Sequence, residues 1–157
     1  PGDDPKKRGN INSIYIDTET LAVHNDELQA MYKQVTANEQ MWEEYNCENA
    51  EYIITAFGTV ARIAKSAINE LKEKGIHVGL VRPITVWPFP YDAVAKAVNQ
   101  PSVKAVLDVE LNEGQMLEDV KLAVCGTKPI DFTGHCGSQM PTTDEIVEKI
   151  LSMKEGK

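Results

Sequence analysis

Apolar residues recur with two different periods along this chain of 157 residues. Between Val60 and Leu71 they step by three and one, polar residues fill the opposite face, and Gly75 follows as a left-handed stop, which predicts an amphipathic helix. Short unbroken apolar runs elsewhere predict strands that are buried on both faces of a parallel sheet. These predicted strands cover 51–57, 76–81, 103–111 and 129–132.

Helices are predicted in the segments between and after these strands. A Pro-rich turn precedes a helix at 91–98, and the pairs Asn112 with Gln115 and Thr142 with Glu145 have the spacing of capping boxes that begin two more helices. Strands that alternate with helices at a spacing of about 25 residues predict right-handed βαβ crossovers. The predicted fold class is therefore α/β, with helices on both faces of a mostly parallel sheet.

The first third of the chain shows weaker patterns. Residues 1–10 have the composition of a linker, and the chain starts at Pro1 rather than Met, so we expect a fragment of a larger subunit. Residues 11–16 predict a short edge strand. No Pro or Gly interrupts residues 20–47, where apolar residues recur every seven positions, which predicts a long helix. The recurring residues are Leu21, Leu28, Val35 and Trp42.

The apolar residues of this helix are expected to be buried against another surface. They either pack on the sheet of their own domain, which is the favoured interpretation, or contact another domain or subunit. Residues 11–157 are predicted to form one domain.

Charge and cysteine content exclude several classes of protein. The chain has 24 acidic and 16 basic residues, a net charge of −8, so nucleic acid and anionic membranes are poor partners. No apolar run approaches the roughly 20 residues that span a bilayer. The three cysteines are an odd number in a chain that can bury a core, which favours a reducing compartment. We expect a soluble, cytoplasmic protein.

Ligands of open α/β sheets bind at the carboxyl ends of the strands, so the residues there are the candidates for a site. Thr59 follows the first buried strand, and a helix cap is favoured over anion binding, because one glycine is too few for a nucleotide loop. Arg82 follows the next strand and is expected to form an ion pair with a neighbouring loop rather than to bind a carboxylate or phosphate. Trp87 and Phe89 are expected to pack or to anchor an interface rather than to stack on a cofactor.

The loop after the third strand is the most polar. Asp108 and Glu110 share one strand face, where they could act in general acid–base chemistry or bind Mg²⁺, but a hydrogen-bond network to nearby amides is favoured. Asn112 and Gln115 are expected to cap the following helix. No catalytic, cofactor-binding or metal-binding residue is assigned. The candidates for strand-end or subunit contacts are Thr59, Arg82, Trp87, Glu110, Asn112 and Gln115.

Metal and nucleophile signatures do not match this sequence. Cys125, His135 and Cys136 lack the spacing of a zinc ribbon or an iron–sulfur cluster, so the cysteines are expected to be buried as small apolar residues. The nucleophile elbow Gly-x-Ser-x-Gly does not occur. These observations describe an acidic α/β domain without an evident active site, which favours a binding or assembly module.

The order of several segments nevertheless resembles a known family. Together they are similar to the C-terminal part of the alpha subunit of 2-oxoacid:ferredoxin oxidoreductases, the 2-ketoisovalerate type above all. The segments are Ser13–Asp17 with His24 and Asn25, Ala50–Thr59 with Ala61–Ala64, Val81–Pro90, Glu110–Met116, and Gly134–Gly137 before Pro141. The family pattern Gly-Arg-x-Gly-Gly is replaced here by Gly134, His135, Cys136, Gly137 and Ser138, which bears on substrate subtype and on the local loop contact.

The resemblance implies a transketolase C-terminal-like domain, whose five-stranded sheet has one antiparallel edge strand, for which 11–16 is the candidate. It implies an enzyme that oxidatively decarboxylates a 2-oxo acid on thiamine diphosphate with Mg²⁺, passes electrons through iron–sulfur clusters to ferredoxin, and forms an acyl-CoA from coenzyme A. In that family the thiamine site is built by the preceding domain of the alpha subunit with the beta subunit. This chain would then hold no cofactor, would be inactive alone, and would contact that preceding domain and the beta and small subunits.

Two alternatives remain at this point. The chain could be the C-terminal domain of another thiamine enzyme. It could also be a free-standing binding module of the flavodoxin or receiver type.

Overall fold

The computed structural model describes residues 13–156, which divide into two compact units at Ala37 and Asn38. The first unit contains nearly all of helix α1 (Thr18–Asn38). Asp17 caps this helix, because its Oδ2 accepts a hydrogen bond of 2.7 Å from the backbone N–H of Thr20. No residue of α1 is buried. The predicted linker at 1–10 lies outside the described residues, and the extent of a domain over 11–157 stays a prediction.

The helix predicted over 20–47 is wrong over 39–47. It ends at Asn38, and Trp42–Tyr45 form strand β1, in which Glu43 and Tyr45 are half-buried while their neighbours are exposed. One apolar residue in seven gives too narrow a seam to hold a helix by itself, whereas β1 gains backbone hydrogen bonds by pairing with β3. Pairing in the folded chain therefore overrides the local period.

The predicted edge strand over 11–16 is also corrected. Residues 11 and 12 lie outside the described residues, and 13–16 form no regular secondary structure. The antiparallel edge strand is β1 instead, which pairs with β3 (Val78–Pro83) in the register Trp42 opposite Pro83.

The other elements follow the predicted order closely. The remaining strands and helices are β2 (Tyr52–Thr55), α2 (Gly58–Glu73), α3 (Tyr91–Val98), β4 (Ala105–Glu110), α4 (Gln115–Val124), β5 (Ile130–Gly134) and α5 (Thr143–Glu155). The capping box predicted for the last helix is confirmed: Thr142 Oγ1 accepts from the backbone N–H of Glu145, and Glu145 Oε2 accepts from that of Thr142.

The sheet order is β1-β3-β2-β4-β5, with β1 antiparallel and the other four strands parallel. The predicted fold class, a three-layer αβα domain with a five-stranded, mostly parallel sheet and one antiparallel edge strand, is confirmed. One apolar layer of the core joins α2 and α5 to the sheet through Ile54 and Leu107. The other joins α3 and α4 to it through Ile53 and Val106. Burial on both faces explains the unbroken apolar runs of β2 and β4.

The chain that follows β1 crosses β3 at very short range. A Cβ atom placed on Gly79 would lie 2.8 Å from the Cα of Cys47 and 3.0 Å from the backbone oxygen of Asn46. Glycine is therefore required at position 79 because two backbone segments approach closely there, and not because of an unusual dihedral angle. Of the helices within residues 13–156, none is long and apolar enough to cross a membrane.

Replacing Gly79 with Ala should destabilise the domain by about 3 kcal/mol, because backbone atoms on the facing segment leave no room for the methyl group. Gly126→Ala is the control: its Cβ would meet open space, but its φ is +72°, so the cost should be about 1 kcal/mol. Both changes reduce the entropy of the unfolded chain alike, so their difference reports the contact. Urea denaturation measures both, and a smaller effect at Gly79 than at Gly126 would contradict the packing.

Candidate site at the carboxyl ends of the parallel strands

The order of the strands places a switch point between β2 and β4, because the chain leaves β2 toward β3 on one side and later crosses to β4 on the other. Crevices at such points are where open α/β sheets bind ligands. Three polar side chains lie there with no exposed surface: Thr55, Asp108 and Glu110. Asp108 and Glu110 alternate with the apolar residues that face α2 and α5, so both face α3 and α4.

Thr55 and Asp108 lie opposite each other in the β2–β4 register. The Thr55 hydroxyl donates a hydrogen bond of 2.6 Å to Asp108 Oδ1. Asp108 Oδ2 is buried and meets no N–H or O–H donor of the protein. Burial raises the pKa of Asp108 to about 8, the neighbouring Glu110 carboxyl adds to this rise, and the Thr55 hydrogen bond opposes it. Asp108 is therefore suited to hold a proton at neutral pH.

The Glu110 carboxylate binds the first turn of α4. Its Oε1 accepts from the backbone N–H of Leu117 and its Oε2 from that of Met116, both at 2.9 Å. The Asn112 side chain donates a third hydrogen bond, also of 2.9 Å, to Oε2. A carboxylate at a helix N-terminus satisfies amides that have no partner in the helix and interacts favourably with the helix dipole. The favoured sequence interpretation of Glu110, a network to nearby amides, matches this geometry.

The cap of α4 differs from the predicted box. Gly114, with a φ of 95°, is the N-cap residue, and Asn112 Oδ1 accepts from the backbone N–H groups of Gly114 and Gln115 at 2.8 and 2.9 Å. Gln115 takes part through its backbone, and Glu110 accepts from the N–H groups of the second and third helical residues, as the N-cap side chain does in a box. The strand end is spatially closer to the helix start than the sequence spacing suggests.

The sequence candidates Thr59 and Arg82 lie in α2 and β3. Thr59 is exposed in the first turn of α2, whose N-cap is Phe57 without a side-chain hydrogen bond, so its predicted capping role is wrong. Arg82 forms the expected ion pair, at 3.1 Å, but its partner is Glu43 on strand β1 rather than a loop residue. Glu43 also forms an ion pair with Lys65. Hydrogen bonds from Lys65, which has the larger effect, and from Arg82 hold the pKa of Glu43 below its ordinary value.

Trp87 is 61% exposed, whereas Phe89 is buried. Other large apolar side chains around Trp87 are also exposed, and the backbone oxygen of Met41 accepts hydrogen bonds from the N–H groups of Ile84 and Thr85 at 2.9 and 3.2 Å. We call this set the β3-end patch; its members are Met41, Trp42, Ile84, Val86 and Trp87. Grouped exposed apolar residues are typical of interaction surfaces.

The cysteines divide between core and surface. Cys47 is buried, donates to the backbone oxygen of Leu80 at 3.2 Å, and has its pKa raised by burial to about 11. Cys125 and Cys136 are exposed, so the expectation that they pack as buried apolar residues is wrong. Cys125 is the C-cap residue of α4 and has a left-handed backbone conformation. Within residues 13–156, no three His, Cys, Asp or Glu side chains form a group that could hold a metal ion.

Sequence analysis missed Thr55 and most of the β3-end patch. Thr55 interrupts an otherwise apolar strand, and that polar residue in a strand buried on both faces was the available signal. For Met41, Ile84 and Val86 no local signal exists, because their exposure depends on the pairing of β1 with β3.

Glu110→Gln should destabilise the domain by about 2–3 kcal/mol, because one carboxylate oxygen is replaced by an NH₂ group that faces backbone N–H donors. Glu118→Gln removes the same charge from an exposed position in the same helical turn and should change stability by less than about 0.5 kcal/mol. Chemical denaturation of both variants tests the cap. Equal effects of the two substitutions would refute it.

Comparison with known proteins gives a consistent result. Residues 50–146 match the family model of pyruvate:ferredoxin oxidoreductase core domain II. The chain is 36% identical over 140 residues to ketoisovalerate oxidoreductase subunit VorB of Methanothermobacter marburgensis, and 31% identical over 110 residues to 2-oxoglutarate synthase subunit KorA of Methanocaldococcus jannaschii. These matches cover 89% and 70% of this chain, but only 39% and 29% of the relatives.

Solved structures agree on the fold. A 2-oxoglutarate:ferredoxin oxidoreductase from Magnetococcus marinus superposes with a TM-score of 0.71 at 20% identity, over 88% of this chain and 24% of that one. A split-gene transketolase, described as an inactive beta4 tetramer, superposes with a TM-score of 0.54 at 16% identity, over 65% of this chain and 37% of that one. The family match and the identity to the curated subunits go further than fold, and the chain belongs to the pyruvate:ferredoxin oxidoreductase core domain II family.

Proposed function

We propose that this chain is the C-terminal, non-catalytic domain of the alpha subunit of a 2-oxoacid:ferredoxin oxidoreductase that uses 2-ketoisovalerate. The observation that carries the proposal is the identity of 34–36% to two ketoisovalerate oxidoreductase subunits over 89% of this chain. The chain spans 39% of the length of those relatives, so the larger part of such a subunit lies beyond it. The domain's task is to brace the assembly.

The filled strand-end crevice supports a structural role. Glu110 binds the amides of α4, and Asp108 is engaged by Thr55, so both carboxyl groups serve the fold. The complete enzyme oxidatively decarboxylates a 2-oxo acid to an acyl-CoA and reduces ferredoxin; thiamine diphosphate with Mg²⁺ supplies the decarboxylation chemistry and iron–sulfur clusters carry the electrons. Residues 13–156 offer no matching ligand set for a metal or cluster, so we assign these groups to the preceding domain and to the beta and small subunits.

The compartment in this proposal is the cytoplasm. Cys47, Cys125 and Cys136 are all free thiols, which suits a reducing environment.

The β3-end patch is proposed to contact the preceding part of the same alpha subunit. Its five residues are between 43% and 61% exposed, and a tryptophan with neighbouring apolar side chains is the usual anchor of a protein interface. The relatives have more than half of their length outside the matched region, which provides the partner surface. Interfaces between domains of one chain typically bury about 600–1,500 Å², and the patch would form part of such an interface.

The native assembly, isolated through an affinity tag on this polypeptide, should reduce a viologen dye in the presence of 2-ketoisovalerate and coenzyme A. Pyruvate and 2-oxoglutarate should support lower rates, and the 157-residue chain alone should support none. A preference for either of those two acids would overturn the assigned substrate. Ketol transfer without dye reduction would favour another thiamine enzyme, and a bound flavin on the isolated chain would favour the flavodoxin-like alternative.

Trp87→Ala should lower the melting temperature of the assembly by about 2–4 °C, because truncating an interface aromatic removes buried area. The same substitution should have a smaller effect on the 157-residue chain, since Trp87 is 61% exposed there. Leu122→Ala is the matched control, because Leu122 is 69% exposed on α4, away from the patch in the sequence. Differential scanning fluorimetry checks all four samples, and an equal effect of Trp87→Ala in both contexts would argue against the contact.

A further inference from the structure

Asp108 and Glu110 form a buried acid pair whose hydrogen-bond donors are unequally divided. Glu110 receives three N–H donors on its two oxygens. Asp108 receives one donor, the Thr55 hydroxyl, on Oδ1. Asp108 Oδ2 is buried and meets no donor, and the equally buried Glu110 lies two residues further along the same face of β4. Two carboxyl groups hydrogen-bond to each other only when one of them carries a proton.

The location of that proton follows from the donors. Hydrogen bonds to a carboxylate favour its ionised form, and three N–H donors point at Glu110 while Asp108 receives one hydroxyl donor. Two adjacent buried carboxyl groups cannot both be ionised at low cost, so Asp108 is the partner that holds the proton. A proton on Asp108 Oδ2 donates to Glu110 and removes the unpaired buried atom.

We propose that Asp108 and Glu110 share a single proton, and that this proton fastens the first turn of α4 to the end of β4, so that the turn opens more readily as the pH rises through the neutral range. Loss leaves two negative charges in contact inside the core. The strain then falls on the bonds that Glu110 makes to the amides of Met116 and Leu117.

The charged groups around Asp108 are consistent with a proton held through neutral pH. Burial and Glu110, on the same strand, raise its pKa, whereas Thr55 on β2 and Lys121 on α4 lower it. The raising influences prevail, and the pKa is about 8 against an ordinary value of 3.8. Between these two pH values the folded domain binds one proton more than a chain in which Asp108 meets water. The contribution to stability is therefore fully present below pH 3.8 and is lost as the pH rises toward about 8.

Hydrogen exchange of the 157-residue chain tests the device. In the wild type, the opening equilibrium at the amides of Met116 and Leu117, corrected for intrinsic exchange, should rise about tenfold per pH unit from pH 6 to 8 and then level off. The Ala61 amide in the first turn of α2 is the internal control, because its acceptor is the backbone oxygen of Phe57, which does not titrate. In Asp108→Asn the opening at Met116 and Leu117 should not depend on pH, whereas Asp26→Asn, at an exposed position of α1, should behave like the wild type.

Carbon-13 NMR of the carboxyl groups provides a second measurement that needs no variant. The Asp108 carboxyl should be protonated at pH 6 and should titrate near pH 8. An ionised Asp108 at pH 6, or the same pH dependence of opening in Asp108→Asn and the wild type, would overturn the proposal. Both measurements use this chain alone, so their outcome is independent of whether the proposed oxidoreductase activity is found.

Discussion

The contact between a strand-end carboxylate and a helix start holds the carboxyl edge of this domain together. The first turn of any helix has amides without partners, and a parallel sheet brings strand ends and helix starts to the same edge. Glu110 uses this geometry by placing both of its oxygens on the amides of α4. Burial of its charge is tolerable because three donors replace the lost water. The buried charge of Glu110 disfavours a second charge at the neighbouring Asp108, which we propose is protonated.

Local patterns predicted the parallel part of the sheet well for a physical reason. Strands buried on both faces must be apolar throughout, as at β2 and β4, and a helix that covers them must be apolar on one face, as at α2. Both requirements concern residues that are close together in the sequence, so they can be recognised there. Start and stop signals such as the capping box at Thr142 act over three or four residues and are equally visible.

Features that depend on contacts distant in sequence were less accessible. Strand β1 exists because β3 offers it an unpaired edge some forty residues later in the chain, while its own residues read as the end of a helix. The role of Glu110 could be predicted only in part. Asn112 and Gln115 indicate the start of a helix, but the carboxylate that binds its amides belongs to Glu110, before the loop. Function was least accessible from residues alone, because nothing within the described site is unambiguously catalytic, and the assignment depends on similarity to longer subunits.

Hydrogen bonds hold the loop that carries most of the β3-end patch in place. The backbone oxygen of Met41 receives two N–H groups, and the Thr85 hydroxyl donates to the backbone oxygen of Pro88, so the loop that carries Trp87 is tied down at both ends. A surface fixed in this way loses little conformational entropy when it is covered. The proposed contact with the preceding part of the subunit would then form between preformed faces, without a folding step.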